Sequence, residues 1–322
     1  MLETVLGFFS AFPMALLAGV AAILFILVLG TIGGLVLPAL KPGKDYTNLR
    51  QRVASWWVMA GLLIVALFSG RQAMTALFAV ISFIALREFL SLSPLKREDR
   101  LIVLVAYLAI PVAFALVAFD QYGKYLVFVP VYLFLAVPFL MTMAGQTKAY
   151  LSRAAIVHWG LVTCVYNLGY IPFLMMTPEG ERLPAGAGGL VLFLLFVTGA
   201  NDVLQYCWGK LLGRHKIMPT VSPNKTWEGF VGGWISTGLL VLLIGPHLTP
   251  LAGVGLWTVA ALLPAAGFAG DVTWSAIKRD IGVKDTSALI PGHGGLLDRV
   301  DSLTFTAPLF FHLLAFFALE RF

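Results

Sequence analysis

Charge is what this sequence has least of. Asp, Glu, Lys and Arg make up only 12% of its 322 residues, against about 25% in a soluble globular domain. That shortfall excludes an ordinary soluble fold. Cysteine is scarce as well. Cys164 and Cys207 both lie in apolar runs, and no CxxC pair exists. A disulfide framework and a thiolate metal cluster are thereby excluded. A basic n-region is missing too, because the first charge is Glu3. The apolar run near 11–40 is longer than a signal-peptide core, so it is expected to remain as a membrane helix. No internal repeat is visible.

What the chain has in abundance is apolar sequence, 59% of all residues. Runs of about twenty apolar residues recur along its length, and each is long enough to cross a bilayer. About ten spans are expected, near 12–38, 54–69, 72–92, 100–119, 123–143, 154–177, 188–213, 228–247, 252–275 and 302–320. The fold class that follows is all-α, a polytopic helical bundle embedded in the membrane. Residues 1–150 are expected to form N-terminal membrane helices facing lipid. Residues 151–322 are expected to form the region that carries the chemistry. Spans two and three are divided only by Ser69-Gly70-Arg71, which reads as a tight hairpin.

The net charge of +6 raises the question of nucleic acid. The placement of the cations answers it. With the first loop taken as cytoplasmic, Lys41, Lys44, Arg50 and Arg52 lie on that side. Alternate loops then add Arg87, Lys96, Arg97, Arg100, Lys148, Arg153, Lys210, Arg214, Lys216, Lys225, Lys278, Arg279, Lys284 and Arg299. The other side keeps Arg71, Lys124, Arg182 and Arg321. Such a bias is the positive-inside signal. It places both termini away from the cytoplasm and makes no nucleic-acid partner the expectation.

Three polar constellations stand out, all at the basic side of the last four spans. The first is Asn201-Asp202, inside the span 188–213. A carboxylate at a helix centre costs roughly 2.5–3.5 kcal/mol on insertion scales, so it needs a partner or a wet cavity. Gln205 and Tyr206 follow at i+3 and i+4 and are expected on the same face. Two readings stand here: an interhelical hydrogen-bond network, or the wall of a polar cavity that receives a substrate. The second is Ser222-Pro-Asn-Lys-Thr-Trp-Glu-Gly229. Ser222 with Pro223 reads as an N-cap and N1 pair, with Lys225 and Thr226 in the first turn. A phosphate fits such a helix start. An ordinary cap beside inside-loop cations reads equally well.

The third is the densest. Asp271, Ser275, Lys278 and Arg279 project to one side of a helix. Lys284-Asp285 follows, then Pro291-Gly-His-Gly-Gly295, then Asp298, Arg299 and Asp301. The glycines permit tight turns and close approach to a ligand. Hard divalent ions take oxygen ligands, and Mg²⁺ uses one or two carboxylates together with substrate phosphates. Asp271 and Asp298 come from different helices and could clamp one ion. The nearby cations would balance phosphate charge. That is equipment for phosphoryl or nucleotidyl transfer. The plain alternative is a set of surface salt bridges, each contributing about 0–1 kcal/mol. His293 reads as a ligand, an acid, a phosphate donor or a packing residue. His158, His215, His247 and His312 stand alone and are assigned nothing.

The run from Ser275 to Asp301 resembles the signature of the phosphatidate cytidylyltransferase (CDP-diacylglycerol synthase) family. That signature runs Ser-x-apolar-Lys-Arg, four residues, Lys-Asp, then Pro-x-His-Gly-Gly-x-x-Asp-Arg-x-Asp, and every position is met. The Asn-Asp pair and the Ser-Pro-x-Lys-Thr-x-Glu-Gly turn extend the resemblance over about 198–305.

The resemblance implies that CTP and phosphatidate give CDP-diacylglycerol and pyrophosphate, with Mg²⁺ as cofactor. It implies Asp271 and Asp298 as metal ligands. Lys278, Arg279, Lys284 and Arg299 would hold phosphates, while Asp285, Asp301 and His293 line or orient the site. Ser222, Lys225, Asn201 and Asp202 would complete the cavity. The partners expected are CTP, a phosphatidate lipid, the bilayer and a second copy of the chain in a homodimer. The expected location is a bacterial inner membrane, with the site open to the cytoplasm. Rival expectations are a polyprenol-type lipid kinase, an archaeal-lipid cytidylyltransferase and a secondary transporter of an anionic solute.

Overall fold

Helices of 22 to 29 residues dominate the described chain, long enough to keep every backbone group hydrogen-bonded across a bilayer. At 1.5 Å per residue they run about 33–44 Å, against a hydrocarbon core of about 30 Å. The structure is a computed structural model and describes residues 10–40, 45–177 and 183–318. Ten helices in it are long and apolar enough to span a membrane. They are α1 (Met14–Leu40), α2 (Thr47–Ser69), α3 (Arg71–Leu92), α4 (Arg97–Ala118), α5 (Tyr122–Met143), α6 (Tyr150–Leu174), α7 (Gly186–Leu212), α8 (Trp227–Leu248), α9 (Gly253–Ile281) and α10 (Leu297–Ala318). The all-α polytopic expectation holds, and the tight hairpin falls at Gly70, whose φ is 87°. Helix α9 runs further than expected, to Ile281, and so carries Lys278 and Arg279 on its last turn. Helix α10 is broken between Val300 and Leu303.

One apolar core runs through the bundle, from Leu16 on α1 to Leu314 on α10. Its densest part is aromatic. Tyr125, Tyr170, Phe173 and Phe311 are all buried, and the Tyr125 and Phe173 rings meet edge-on at 4.9 Å. Helices α7 and α8 approach closely at glycines. A Cβ on Gly229 would stand 2.9 Å from both Gln205 O and the Gly209 Cα. Small residues are what permit such contact between membrane helices.

The connection between α7 and α8 departs from the sequence expectation. Lys216–Met218 (β1) and Ser222–Thr226 (β2) form an antiparallel hairpin, with Lys216 opposite Thr226 and Met218 opposite Ser222. Ser222 is therefore a strand residue rather than an N-cap, and Lys225 and Thr226 precede the helix rather than open it. The cap is Thr226, with φ −128° and ψ 153°, whose hydroxyl accepts from Gly229 N. Local sequence favoured a cap at Ser222. Backbone pairing with 216–218 outcompetes it by keeping 222–226 extended.

The basic loops gather at one end. Arg52 Nε donates to Gly292 O at 3.0 Å, and Ser55 Oγ to Pro291 O at 2.9 Å. Gln146 Nε2 reaches Glu98 O, and Arg153 pairs with Asp99 at 3.2 Å. Arg279 Nε donates to Val221 O. Lys41, Lys44, Arg182 and Arg321, which also entered the charge count, lie outside the described residues.

Candidate active site

The site is built where the loop 282–296 folds back against α2, α3, α9 and α10. Asp298 stands at its centre, in the first turn of α10, and is buried. Its Oδ2 accepts from Thr286 N at 2.8 Å, from Thr286 Oγ1 at 3.0 Å and from Gly295 N at 3.0 Å. Its Oδ1 accepts from Lys278 Nζ at 2.7 Å. Gly294 permits this. Its φ is 86°, and a Cβ there would press to 2.9 Å from Asp298 Oδ2. Only glycine meets both demands cheaply.

A second, less buried ion pair joins Lys225 on β2 and Asp271 on α9. Ser275 Oγ donates to Asp271 Oδ1 at 3.4 Å, one turn along α9. Lys225 Nζ also donates to Gln205 Oε1 at 3.4 Å and stands over the Phe268 ring at 5.1 Å. Asp202 on α7 faces Ser302, whose hydroxyl lies 3.2 Å from both carboxylate oxygens. Asp301 is buried beside it and accepts from Ser302 N at 2.8 Å. Asp202 and Asp301 each feel the charge of Asp271, and Asp301 also feels Asp202 and Lys278. The fold therefore gathers Asp202, Lys225, Asp271, Lys278, Asp298 and Asp301 into one polar cluster. Asp271 and Asp298 belong to it from different helices.

The other expected site residues are distributed around this cluster. Asn201 is turned into the helix seam, where Nδ2 donates to Pro264 O at 3.1 Å and Oδ1 accepts from Thr237 Oγ1 at 3.2 Å. Arg279 bonds the carbonyls of Val221 and Val283 and so ties hairpin to loop. Lys284, Asp285 and Arg299 are exposed at the rim. Ser222 is half-buried on the hairpin. Tyr206, expected on the face of Asp202 with Gln205, is 66% exposed, with Lys210 above its ring. Steps of three and four residues fall on opposite sides of Asp202, and only the Gln205 side meets α8. His215 is not isolated, since its Nδ1 lies 2.5 Å from Glu228 Oε1.

His293 packs edge-on against Trp56 of α2, 6.2 Å between centroids. Burial, reinforced by the Arg299 and Arg52 charges, holds its pKa below the ordinary imidazole value. It is neutral at pH 7.

Several residues of the site were not anticipated, among them Thr286 and Ser302, which bond Asp298 and Asp202. Glu88, near the end of α3, is buried and accepts from Thr286, Ser287, Leu296 and Leu297. The signal was present in the sequence. An acid inside an apolar span is itself a site marker, and Arg87 drew attention as a loop cation while Glu88 did not.

The protein is thus a multi-span helical bundle with a lysine–aspartate cluster beside a glycine-rich loop. Residues 50–317 match the Cytidylyltransferase family, and the chain belongs to that family. It is 38% identical over 296 residues to the Uncharacterized protein YnbB of Escherichia coli K12, covering 92% of this chain and 97% of that one. It is 30% identical over 238 residues to the Phosphatidate cytidylyltransferase of Staphylococcus aureus strain COL, covering 71% and 85%. With the Phosphatidate cytidylyltransferase of Haemophilus influenzae it shares 43% identity over 136 residues, covering 40% and 46%.

Proposed function

We propose that this enzyme joins CTP to phosphatidate, giving CDP-diacylglycerol and pyrophosphate. The observation that carries the reading is the cluster of Asp202, Lys225, Asp271, Lys278, Asp298 and Asp301 at the basic end of a membrane bundle. Family membership and the printed names of the Staphylococcus and Haemophilus relatives support it.

A phosphate oxygen of phosphatidate attacks the α-phosphorus of CTP in line. The new P–O bond forms as the bond to the β-phosphate bridge breaks, and pyrophosphate leaves. A phosphate monoester has a second pKa near 6, so the attacking oxygen is already ionised at neutral pH. No general base is required, which suits a neutral His293. Lys225 and Lys278 would turn from their aspartate partners to neutralise the phosphates, and exposed Lys284 and Arg299 would receive them at the rim. The site at the bundle end suits a lipid arriving sideways and a nucleotide arriving from water. The positive-inside bias supports a cytoplasmic position for that end, and the bacterial relatives support an inner membrane.

Magnesium belongs to this reading. Among the described residues no preformed group of three or more His, Cys, Asp or Glu is arranged around a metal. The donor chemistry still fits. Four carboxylates share the cluster with two ammonium groups, and Asp202 and Asp301 have no ion pair among the described residues. A divalent cation offsets that excess, and Mg²⁺ completes its shell with substrate phosphates. Asp202 and Asp301 would hold it; Asp271 and Asp298 join only by giving up Lys225 and Lys278. When bound, the ion supplies positive charge against the triphosphate.

The test is purified protein with phosphatidate and each of the four nucleoside triphosphates. Pyrophosphate and lipid product are followed together. CTP-dependent CDP-diacylglycerol with equimolar pyrophosphate, lost on chelation of Mg²⁺, is expected. Phosphorylated lipid plus CDP, or solute uptake without nucleotide turnover, would refute it.

A further inference from the structure

Glu88 comes from the N-terminal half of the chain and is only 6% exposed. Its Oε1 accepts from Ser287 Oγ at 2.7 Å and Leu296 N at 3.0 Å. Its Oε2 accepts from Thr286 Oγ1 at 3.0 Å and Leu297 N at 2.8 Å. All four donors belong to the loop and turn that present Asp298. A buried carboxylate is costly to keep unless hydrogen bonds satisfy it, and this one has no ion pair among the described residues. Its role is therefore directed at that loop. The fit is close, since a Cβ on Gly295 would stand 2.6 Å from Glu88 Oε2.

Thr286 links the two acids. Its hydroxyl lies 3.0 Å from Glu88 Oε2 and 3.0 Å from Asp298 Oδ2. A hydroxyl has one hydrogen to donate, so the two carboxylates share it. Movement of Glu88 is passed to the same Asp298 oxygen that Thr286 N and Gly295 N hold.

We propose that Glu88 is a positioning residue for nucleotidyl transfer: it fixes the loop 284–297 and, through Thr286, orients Asp298 and its partner Lys278. This rests on the reaction proposed above. Glu88 itself touches no substrate. The N-terminal helices thereby take part in the chemistry as the anchor of the loop.

The experiment uses the full chain in detergent, with Glu88→Gln, Glu88→Asp, Thr286→Val and the Glu88→Gln/Thr286→Val pair. Each is read by pyrophosphate release from CTP and phosphatidate, by amide hydrogen exchange across 284–297, and by the melting temperature. Glu88→Gln keeps the shape but turns an NH₂ toward donors. It is expected to lower turnover about 10–100-fold, the usual loss when an outer partner of a site is removed. Exchange across 284–297 should quicken while the melting temperature holds. Glu88→Asp, which keeps the charge, should restore part of the turnover. Thr286→Val should lose less in the Glu88→Gln background than alone, because both changes cut one link. Wild-type turnover in Glu88→Gln overturns the proposal. So does a turnover loss that follows a global fall in melting temperature with no local change in exchange. Should the unaltered protein make no CDP-lipid, the reaction fails, and the exchange data still decide whether Glu88 holds the loop.

Discussion

Lys278 Nζ sits 2.7 Å from Asp298 Oδ1, with the two side chains 12% and 3% exposed. Breaking a buried pair by removing one partner leaves a charge without compensation, at about 3–5 kcal/mol. Lys278→Met and Asp298→Asn should each destabilise the protein on that scale, read by thermal melting in detergent. Each should also abolish pyrophosphate release. The double variant separates the two effects. It should regain much of the lost stability, because no lone charge remains, and none of the turnover. A double variant with activity would remove both residues from the chemistry.

Gly294 carries two demands at once, a φ of 86° and space beside Asp298 Oδ2. Gly294→Ala meets neither. A non-glycine residue in such a conformation costs on the order of 1–3 kcal/mol, and the new methyl displaces the carboxylate. Turnover should fall further than stability does. The check is kcat measured beside the melting temperature. Gly33→Ala, inside α1 with nothing within 4 Å, is the control and should leave turnover unchanged and melting unchanged or slightly raised, since alanine favours a helix by about 0.5–1 kcal/mol.

The start of α8 can be tested by two neighbouring substitutions. Thr226→Val removes the hydroxyl that accepts from Gly229 N and should cost about 1 kcal/mol of stability. Ser222→Ala removes no cap and should leave melting unchanged. Equal melting losses at both positions would restore Ser222 as the cap.

These residues also show what could be read in advance. The ten spans and the gathering of the basic loops at one end were legible, because span length and hydropathy are local properties. The turn from Pro291 to Gly295 was legible as a close-approach loop for the same reason. The cap at Thr226 was not, since it depends on pairing between 216–218 and 222–226. Four residues of sequence cannot report a hairpin partner. Glu88 is about two hundred positions from the loop it holds, and no local pattern joins them. Asp202 and Asn201 are adjacent in sequence, yet a turn of about 100° per residue sends one to the acidic cluster and the other to the seam.

Asn201 gives a prediction of its own. Both ends of its amide are engaged, by Pro264 O and Thr237 Oγ1. Interhelical hydrogen bonds in membranes contribute about 0.6 kcal/mol each, rarely above 1.7. Asn201→Ala should lower stability by about 1–2 kcal/mol and leave KM for CTP unchanged. A raised KM at unchanged stability would put its amide on the nucleotide instead.

His293 sets a pH signature. Its pKa in the folded protein lies below the unfolded value, because burial and the Arg299 and Arg52 charges disfavour the imidazolium. Above the unfolded pKa of about 6.5, both states hold a neutral ring and the group contributes nothing to the pH dependence. Below it, the unfolded chain takes up a proton that the folded chain resists. Stability is therefore lost as pH falls from about 6.5 toward the folded pKa. Melting at pH 7.5 and 5.5 measures this, and His293→Gln should flatten that part of the profile. The same substitution should leave the pH dependence of turnover above pH 7 unaltered, because the attacking phosphate is already ionised there and His293 is neutral throughout. A turnover profile that lost its acid limb in His293→Gln would instead make the imidazole a base.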